Sequence, residues 1–186
     1  MNLQERANSY NQTFPKYPPL VTTDRWLYGI WVIGNNYRSK QGFYGEYPPN
    51  YLKRINSLFP DKQEVLHLFS GSVVDVDGTT FDLKQPADIS GDAHSLSQYF
   101  PAHVFDLILA DPPYSGECAE HYGTPMINRN IVLSECVKVL QPDGFICWMD
   151  TILPMYRKAE LSLVGTIGIV GSTNHRFRIV SIFQGV

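Results

Sequence analysis

Cysteine is scarce in this sequence. The 186 residues include three, Cys118, Cys136 and Cys147, and no two of them form a CxxC pair. An odd number of thiols without that spacing indicates neither a disulfide framework nor a zinc site. The pattern favours a reducing, intracellular setting, so we predict a cytoplasmic protein that holds no metal.

Long apolar runs are also missing. No stretch approaches the ~18 apolar residues that a membrane-spanning helix needs. The opening residues, MNLQERANSYNQTF, lack an apolar core behind a basic flank, which a secretory signal would have. We therefore expect no membrane partner.

Positive charge is not in excess. Lys and Arg number 15 against 18 Asp and Glu, which gives a formal net charge of -3. A protein that binds nucleic acid mainly by neutralising phosphates usually carries a clear basic surplus. Any nucleic-acid contact of this chain is therefore expected to be local.

Apolar residues are plentiful, at 44% of the chain. A chain of this length and composition usually builds one core. We divide that single domain into an N-terminal arm and strand at residues 1–40, packed on the core, and a main part at 41–186. Within the arm, residues 11–24 are predicted to be extended and residues 26–33 to form a strand.

Short apolar strands alternate with helices from residue 64 onward. The spacing predicts strands at 65–69, 80–83, 105–110, 145–149, 165–170 and 178–183, and helices at 125–140 and 153–163. This alternation indicates an α/β fold with a mostly parallel sheet of about seven strands and flanking helices. The segments joining the first strands are too short for full helical crossovers. Either the crossovers are shortened, or residues 73–83 (VVDVDGTTFDL) fold as a local hairpin over the cofactor site, and we favour the shortened crossovers.

The most specific motif is Asp111-Pro112-Pro113-Tyr114, directly after the apolar strand FDLILA. The Asp111 carboxylate and the backbone carbonyl that follows can accept both N–H bonds of an exocyclic amine, which exposes the nitrogen lone pair. The two prolines restrict the turn, and Tyr114 offers a ring face for stacking a base. The motif thus suits transfer of an activated methyl group to an aromatic amine.

A strand followed by DPPY resembles the catalytic motif of S-adenosyl-L-methionine-dependent methyltransferases that modify base amino groups, chiefly adenine N6 in DNA. The resemblance implies a Rossmann-like methyltransferase fold. It also implies that Asp111, Pro112, Pro113 and Tyr114 form the catalytic turn, with Tyr114 contacting the target base. A plain Pro-Pro turn at the end of a strand is the structural alternative.

A second element, LHLFSGS, resembles the cofactor loop of the same family. The matching positions are Phe69, Ser70, Gly71 and Ser72, and glycine lets the backbone approach the cofactor closely. Only one glycine is present, and His67 replaces an acidic residue that is common there.

Three further cofactor contacts are predicted downstream. Asp82, at the end of TFDL, is placed to accept hydrogen bonds from ribose hydroxyls, with Asp75 and Asp77 as competing candidates. Gly91-Asp92-Ala93 resembles the family motif in which the acidic side chain and the next backbone N–H contact the adenine ring. Either aspartate could instead cap a turn.

Two loops complete the predicted site. Tyr44 and Gly45 lie where several of these families contact the methionine end of the cofactor. Asn174, His175 and Arg176 lie in a turn between the last two strands and are candidates for substrate contacts, although a solvated hairpin tip fits them equally well.

The acceptor stays open at this stage. DNA is the favoured partner and RNA an alternative, since cytosine N4, guanine N2 or another amine could accept the methyl group by the same chemistry. A non-catalytic subunit that keeps the fold is the alternative from a different class. No stretch is long enough for a target-recognition domain, so a homodimer or a separate recognition subunit could supply sequence reading.

Overall fold

Alternating strands and helices form one mixed sheet with helices on both faces. The computed structural model describes residues 1–34, 47–73, 75–171 and 177–186. The helices are α1 (Leu3–Thr13), α2 (Tyr51–Leu58), α3 (Gly116–His121) and α4 (Arg129–Val139), with a 3-10 helix at Ala93–Gln98. The strands are β1 (Val21–Thr23), β2 (Trp26–Ile33), β3 (Val65–Leu68), β4 (Thr79–Asp82), β5 (Ile89–Ser90), β6 (Phe105–Ala110), β7 (Leu140–Asp150), β8 (Leu161–Gly171) and β9 (Phe177–Gly185).

The nine strands lie in the order β1-β2-β8-β9-β7-β6-β3-β4-β5. Strands β2 to β8 share one direction, and β1 and β9 run against it. The chain proceeds outward from β3 to β5 and then returns to place β6 on the other side of β3. The order therefore reverses between β3 and β6, where open α/β sheets bind their ligands at the carboxyl ends of the strands.

Each face of the sheet has its own hydrophobic core. The side chains of β7 alternate: Phe145, Cys147 and Met149 pack beneath α1 and α2, whereas Ile146 and Trp148 pack beneath α4. This period-two pattern is what a strand covered on both faces requires. β7 thus runs through the centre of the molecule.

The crossovers after β3 and β4 are short, as predicted. β3 pairs with β4 in parallel, Leu66 opposite Thr79 and Leu68 opposite Phe81. The alternative, a local hairpin of residues 73–83, is wrong, because β4 pairs in parallel with β3 on one side and with β5 on the other and leaves no edge for an antiparallel partner. The described residues between these two strands contain no helix.

The N-terminal arm differs from the prediction. Residues 11–13 belong to α1, which begins after a capping box: the Asn2 side chain accepts from the Glu5 N–H at 2.9 Å, and the Glu5 carboxylate accepts from the Asn2 N–H at 2.8 Å. The Asn-x-x-Glu pattern is a helix start in its own right, and it overrides the polar character of the segment. The predicted boundary at residues 40 and 41 lies outside the described residues.

α1 is tied to the core by a buried arginine. Arg6 is 2% exposed, and its two terminal nitrogens donate to Asp61 at 2.6 Å and 2.9 Å. Burial opposes ionisation of Asp61, but the hydrogen bonds and charge of Arg6 outweigh that effect and lower the pKa of Asp61 to about 2. A bidentate pair of this kind fixes the helix beside the segment that follows α2.

The predicted helix at 153–163 is wrong. Residues 153–160 are irregular, and Leu161 begins β8, which pairs with β9 over its whole length. Sequence-distant pairing with β9 decides the conformation of 161–163, which the local helical period could not reveal.

Candidate active site

Residues predicted from separate motifs meet at one edge of the sheet. β6, β3, β4 and β5 are consecutive in the sheet, and their carboxyl ends carry Asp111, the loop 69–72, Asp82 and Asp92 in that order. The Asp111 N–H reaches the Leu68 carbonyl at 3.4 Å, and the Gly91 N–H donates to the Asp82 carbonyl at 3.0 Å. The edge thus brings the predicted catalytic turn beside the predicted cofactor loop.

Asp111 and Tyr114 form the centre of this edge. The Tyr114 hydroxyl donates a short hydrogen bond to Oδ1 of Asp111, the one side-chain hydrogen bond that Asp111 makes within the described ranges. Burial raises the pKa of Asp111 to about 7, although the Tyr114 bond and the charge of Arg178 act in the opposite direction. Burial and the negative charge of Asp111 likewise raise the pKa of Tyr114, so the phenol keeps its proton. A carboxylate with unused acceptor capacity and a pKa near neutrality is typical of functional sites.

The two prolines hold the turn between these side chains. Pro112 is buried and Pro113 is partly exposed, and Ser115 then caps α3 by accepting from the Cys118 N–H at 3.2 Å. The turn is therefore fixed at one end by β6 and at the other by a helix start.

Arg178 lies next to Tyr114 and brings a positive charge to this site. Its guanidinium carbon lies 5.3 Å from the centroid of the Tyr114 ring. It occupies β9 beside the carboxyl end of β7, where Ile179 pairs with Asp150. Sequence analysis placed a basic contact at 174–176 instead and did not single out Arg178, because an isolated arginine inside a strand pattern carries no motif.

The loop after β3 has an unusual backbone. Phe69 and Gly71 both adopt left-handed conformations, with φ of 61° and 58°. Glycine accepts this conformation freely, whereas for a bulky aromatic residue it is strained, and such strain concentrates at ligand sites. The sequence motif did not predict the strain at Phe69.

Two serine hydroxyls in this loop are buried without a described partner. Ser70 is 1% exposed, and neither its Oγ nor that of Ser72 has a hydrogen-bond partner among the described residues. Burying a hydroxyl without a hydrogen bond costs free energy, on the order of 1–3 kcal/mol each. These are atoms that a polar ligand lying on the loop would satisfy.

Asp82 braces the same loop. Its Oδ2 accepts from the Gly71 N–H at 3.0 Å, and its Oδ1 accepts from the N–H groups of Lys84 and Gln85 at 2.8 Å and 2.9 Å. A carboxylate oxygen accepts about two hydrogen bonds, so Oδ2 keeps room for one more. Asp82 lies at the carboxyl end of β4, and part of its hydrogen-bonding capacity holds the loop.

Asp92 and Ala93 begin the 3-10 helix. Oδ1 of Asp92 accepts from the backbone N–H of His94 at 2.9 Å and lies 2.7 Å from its Nδ1, while Nε2 of His94 accepts from the Asn128 N–H at 2.9 Å. Because Nε2 is an acceptor, Nδ1 carries the proton and donates to Asp92. Ala93 is buried in the core beneath α4. Asp92 is thus a cap by geometry, and its second oxygen is available to a ligand.

Both ring nitrogens of His67 have hydrogen-bond partners within the protein. Its Nε2 lies 3.0 Å from the Asp77 carbonyl, which can only accept, so Nδ1 accepts from the Tyr47 hydroxyl at 3.2 Å. Burial lowers the pKa of His67, so the ring is neutral. Tyr47 also stacks on Tyr51 and lines a surface pocket of about 260 Å³ with residues 48–53, Val73 and Val76. This pocket lies beside the loop that follows β3.

Some predicted residues cannot be placed. Tyr44 and Gly45, and the turn residues Asn174, His175 and Arg176, lie outside the described residues. Within the described ranges, no group of three His, Cys, Asp or Glu side chains could hold a metal ion. No helix in those ranges is long and apolar enough to cross a membrane.

An ion pair behind the candidate catalytic turn was not predicted from the sequence. Asp150, the last residue of β7, accepts from Nε of Arg129 at 2.6 Å, and Nη2 of Arg129 donates to the Tyr114 carbonyl at 3.0 Å. Asp150 ends the apolar strand FICWMD just as Asp111 follows FDLILA. That shared position was the available signal, and Arg129 had none.

Comparison with known proteins bears on the fold. No family model matches the sequence, and a search among curated proteins gives no match. Among solved structures, TrmN from Thermus thermophilus has a TM-score of 0.57 and 16% sequence identity, over 78% of this chain and 51% of that one. The chain thus spans about half the length of TrmN. The N-methyltransferase NodS from Bradyrhizobium japonicum WM9 has a TM-score of 0.38 and 15% identity, over 98% of this chain and 95% of NodS.

At this level of identity the likeness to TrmN concerns the architecture. The predicted fold class is confirmed: the chain has a Rossmann-like α/β fold with a mostly parallel sheet and flanking helices, and the sheet has nine strands where about seven were predicted.

Proposed function

We propose that this protein is an S-adenosyl-L-methionine-dependent methyltransferase that methylates the exocyclic amino group of a nucleic-acid base, with adenine N6 in DNA as the favoured acceptor. The observation that carries the proposal is the Asp111–Tyr114 turn at the carboxyl end of β6, beside the point where the strand order reverses. Fold and motif support it independently, since the first depends on the whole sheet and the second on four residues.

Asp111 supplies the acceptor for the amine. One of its oxygens holds the Tyr114 hydroxyl, and the other has no hydrogen-bond partner among the described side chains and backbone groups. That oxygen and the backbone carbonyl of the turn accept the two N–H groups, which leaves the nitrogen lone pair free. As the new N–C bond forms, the nitrogen carries a surplus proton, and a carboxylate with a pKa of about 7 is suited to accept it.

Tyr114 supplies the stacking surface. Arg178 lies over one face of its ring, and the base is proposed to stack on the other. Stacking of a base on an aromatic ring is worth ~1–3 kcal/mol. A base inside a duplex would first have to be flipped out of the stack.

The loop 69–72 would hold the cofactor, which supplies an activated methyl group for in-line transfer. The unpartnered hydroxyls of Ser70 and Ser72 and the left-handed backbone of Phe69 and Gly71 fit a polar ligand at this place. Asp82 has one acceptor position left for a ribose hydroxyl, and Asp92 has one oxygen left for an adenine amino group. Tyr44 and Gly45 remain candidates for the methionine end.

The acceptor is expected to be DNA, with RNA as the alternative, in the cytoplasm. A chain with net charge -3 must contact nucleic acid locally, and Arg178 beside Tyr114 is one such contact. Asn174, His175 and Arg176 are proposed to add others. Sequence reading would come from a second copy of the chain or from a separate recognition subunit.

Methyl transfer to defined nucleic acids tests the proposal. The protein is incubated with isotopically labelled S-adenosyl-L-methionine and single-stranded DNA, duplex DNA or RNA, and the nucleosides are separated by mass spectrometry. We expect labelled N6-methyladenine from DNA. Labelled N4-methylcytosine or N2-methylguanine without N6-methyladenine would contradict the choice of acceptor but keep the chemistry.

If no methyl transfer is detected, calorimetry with the same cofactor distinguishes a non-catalytic subunit from a protein that does not bind the cofactor. Cofactor binding without transfer to any nucleic acid would favour a non-catalytic subunit. No binding at millimolar cofactor, together with no transfer, would contradict the methyltransferase proposal.

A further inference from the structure

Asp150 and Arg129 form a buried bidentate pair. Nε of Arg129 donates to Oδ2 at 2.6 Å and Nη2 donates to Oδ1 at 3.2 Å. The Asp150 side chain is 1% exposed and that of Arg129 15%. A forked pair with so little water around it fixes both the distance and the plane of the guanidinium.

Asp150 is held by its own strand and the residue that follows. Trp148 Nε1 donates to Oδ2 at 3.3 Å, and the Thr151 N–H donates to Oδ1 at 2.7 Å. Each oxygen therefore has at least two donors. A buried carboxylate whose hydrogen bonds are satisfied in this way is held in one orientation.

The same guanidinium reaches the candidate catalytic turn. Nη2 of Arg129 donates to the backbone carbonyl of Tyr114 at 3.0 Å. The Tyr114 side chain, at its other end, donates to Asp111. The turn is thus held from behind by Arg129 and closed in front by its own tyrosine.

We infer that Arg129 and Asp150 are positioning residues that hold the Tyr114 carbonyl, and with it Asp111 and the Tyr114 ring, in the geometry that methyl transfer requires. The inference depends on the proposed function. Neither residue touches the reacting atoms. A displacement of about 1 Å at a reacting group can cost on the order of a hundredfold in rate, so a brace at this distance is expected to act on kcat.

The sharpest test removes the Arg129–Asp150 ion pair without leaving an unpaired charge buried. In the double variant Arg129→Met with Asp150→Asn, no unpaired ion is left buried. The amide oxygen can accept from one of the two donors, Trp148 or Thr151, which bind different oxygens of Asp150. We expect kcat for methyl transfer to fall by about a hundredfold, while KM for the nucleic acid and the dissociation constant of the cofactor change by less than about threefold. The kcat of Arg129→Lys should lie between that of the double variant and that of the wild type, because an ammonium group cannot bind both Asp150 and the Tyr114 carbonyl.

The matched control is Arg157→Met. Arg157 donates to Glu160 at 3.1 Å in an exposed ion pair on the segment between β7 and β8. Its loss should leave both kinetic constants unchanged. The folded state of every variant is checked by its thermal midpoint and by near-ultraviolet circular dichroism at the assay temperature.

The outcomes are distinguishable. If the wild type transfers methyl groups and the folded double variant keeps its kcat, or loses activity through KM alone, the positioning role is wrong. Should the double variant fail to fold, Arg129→Lys is measured in its place, and an unchanged kcat there has the same meaning. If the wild type itself transfers no methyl group, the proposed function fails and this inference fails with it.

Discussion

Two aspartates at the ends of neighbouring strands have opposite surroundings. β6 and β7 pair in parallel, with Ala110 opposite Trp148. Asp111 directly follows the last residue of β6, and Asp150 is the last residue of β7. Asp150 is fully buried and receives donors from Arg129, Trp148 and Thr151. Asp111 receives the Tyr114 hydroxyl alone among the described groups, and its charge partner Arg178 lies over the tyrosine ring instead of on the carboxylate.

This difference separates a carboxylate that is fully compensated by donors from one that is not. Burial raises the pKa of Asp111 to about 7, because one hydrogen bond and a nearby Arg178 do not compensate for desolvation, and the charge of Asp150 adds to the effect. A protein selected for stability alone would pair or replace such a group. The unsatisfied carboxylate is therefore the one that we expect to meet a substrate.

Asp111→Ala should show the largest effect on activity. Removing the acceptor of the amine is expected to lower kcat/KM for methyl transfer by about a thousandfold or more, and to leave cofactor binding largely intact. Label transfer and calorimetry measure the two quantities. Asp24→Ala is the control, since Asp24 is exposed and precedes β2 at the opposite edge of the sheet. Retained turnover in Asp111→Ala would remove Asp111 from the mechanism.

Asp150→Ala should show the largest effect on stability. It leaves the largely buried Arg129 without its counter-ion, which typically lowers the free energy of unfolding by about 3–5 kcal/mol. Urea denaturation measures this value against Asp111→Ala, which should lose less than about 1 kcal/mol because Asp111 is poorly compensated to begin with. Glu160→Ala, which breaks the exposed Arg157–Glu160 pair, should change stability by less than about 1 kcal/mol. Equal losses for Asp111 and Asp150 would remove the distinction between them.

The sequence was sufficient for one member of this comparison and not for the other. Asp111 stands in a contiguous motif after a strand, so four adjacent residues carry both its position and its chemistry. The Asp150–Arg129 pair joins residues that are 21 positions apart, and it exists because α4 begins beside the end of β7. A bond that depends on the packing of two elements leaves no local pattern.

The fold shows the same division. The strand FDLILA follows from its apolar run, and β6 has the predicted bounds Phe105–Ala110. The start of β8 does not, because Leu161 and Leu163 adopt a strand through pairing with Gly185 and Phe183 of β9. Local periodicity is informative where an element packs by its own pattern, and it fails where a distant strand decides the conformation.

A shift in pH dependence is the smallest effect that we predict, and it sharpens the comparison most directly. Asp111 must be ionised to accept N–H groups, so kcat/KM should rise with pH through about 7, the pKa of that carboxyl in the free protein. The positive charge of Arg178 lowers this pKa; its removal in Arg178→Leu raises it, and the rising limb of the profile should move to higher pH.

Three tyrosines near Asp111 in the described part of the chain do not titrate in this range. Burial raises the pKa of Tyr47, Tyr51 and Tyr114 above the ordinary value for a phenol, so all three stay neutral near pH 7. Arg178→Lys keeps the charge and loses the planar contact with the Tyr114 ring, so it should retain the wild-type limb while weakening the tyrosine contact. Two outcomes would contradict this prediction: an unchanged limb in Arg178→Leu, or a shift of the same size in Arg178→Lys. The group that titrates near pH 7 would then not be a carboxyl whose pKa the charge of Arg178 lowers, and the contrast drawn between Asp111 and Asp150 would be wrong.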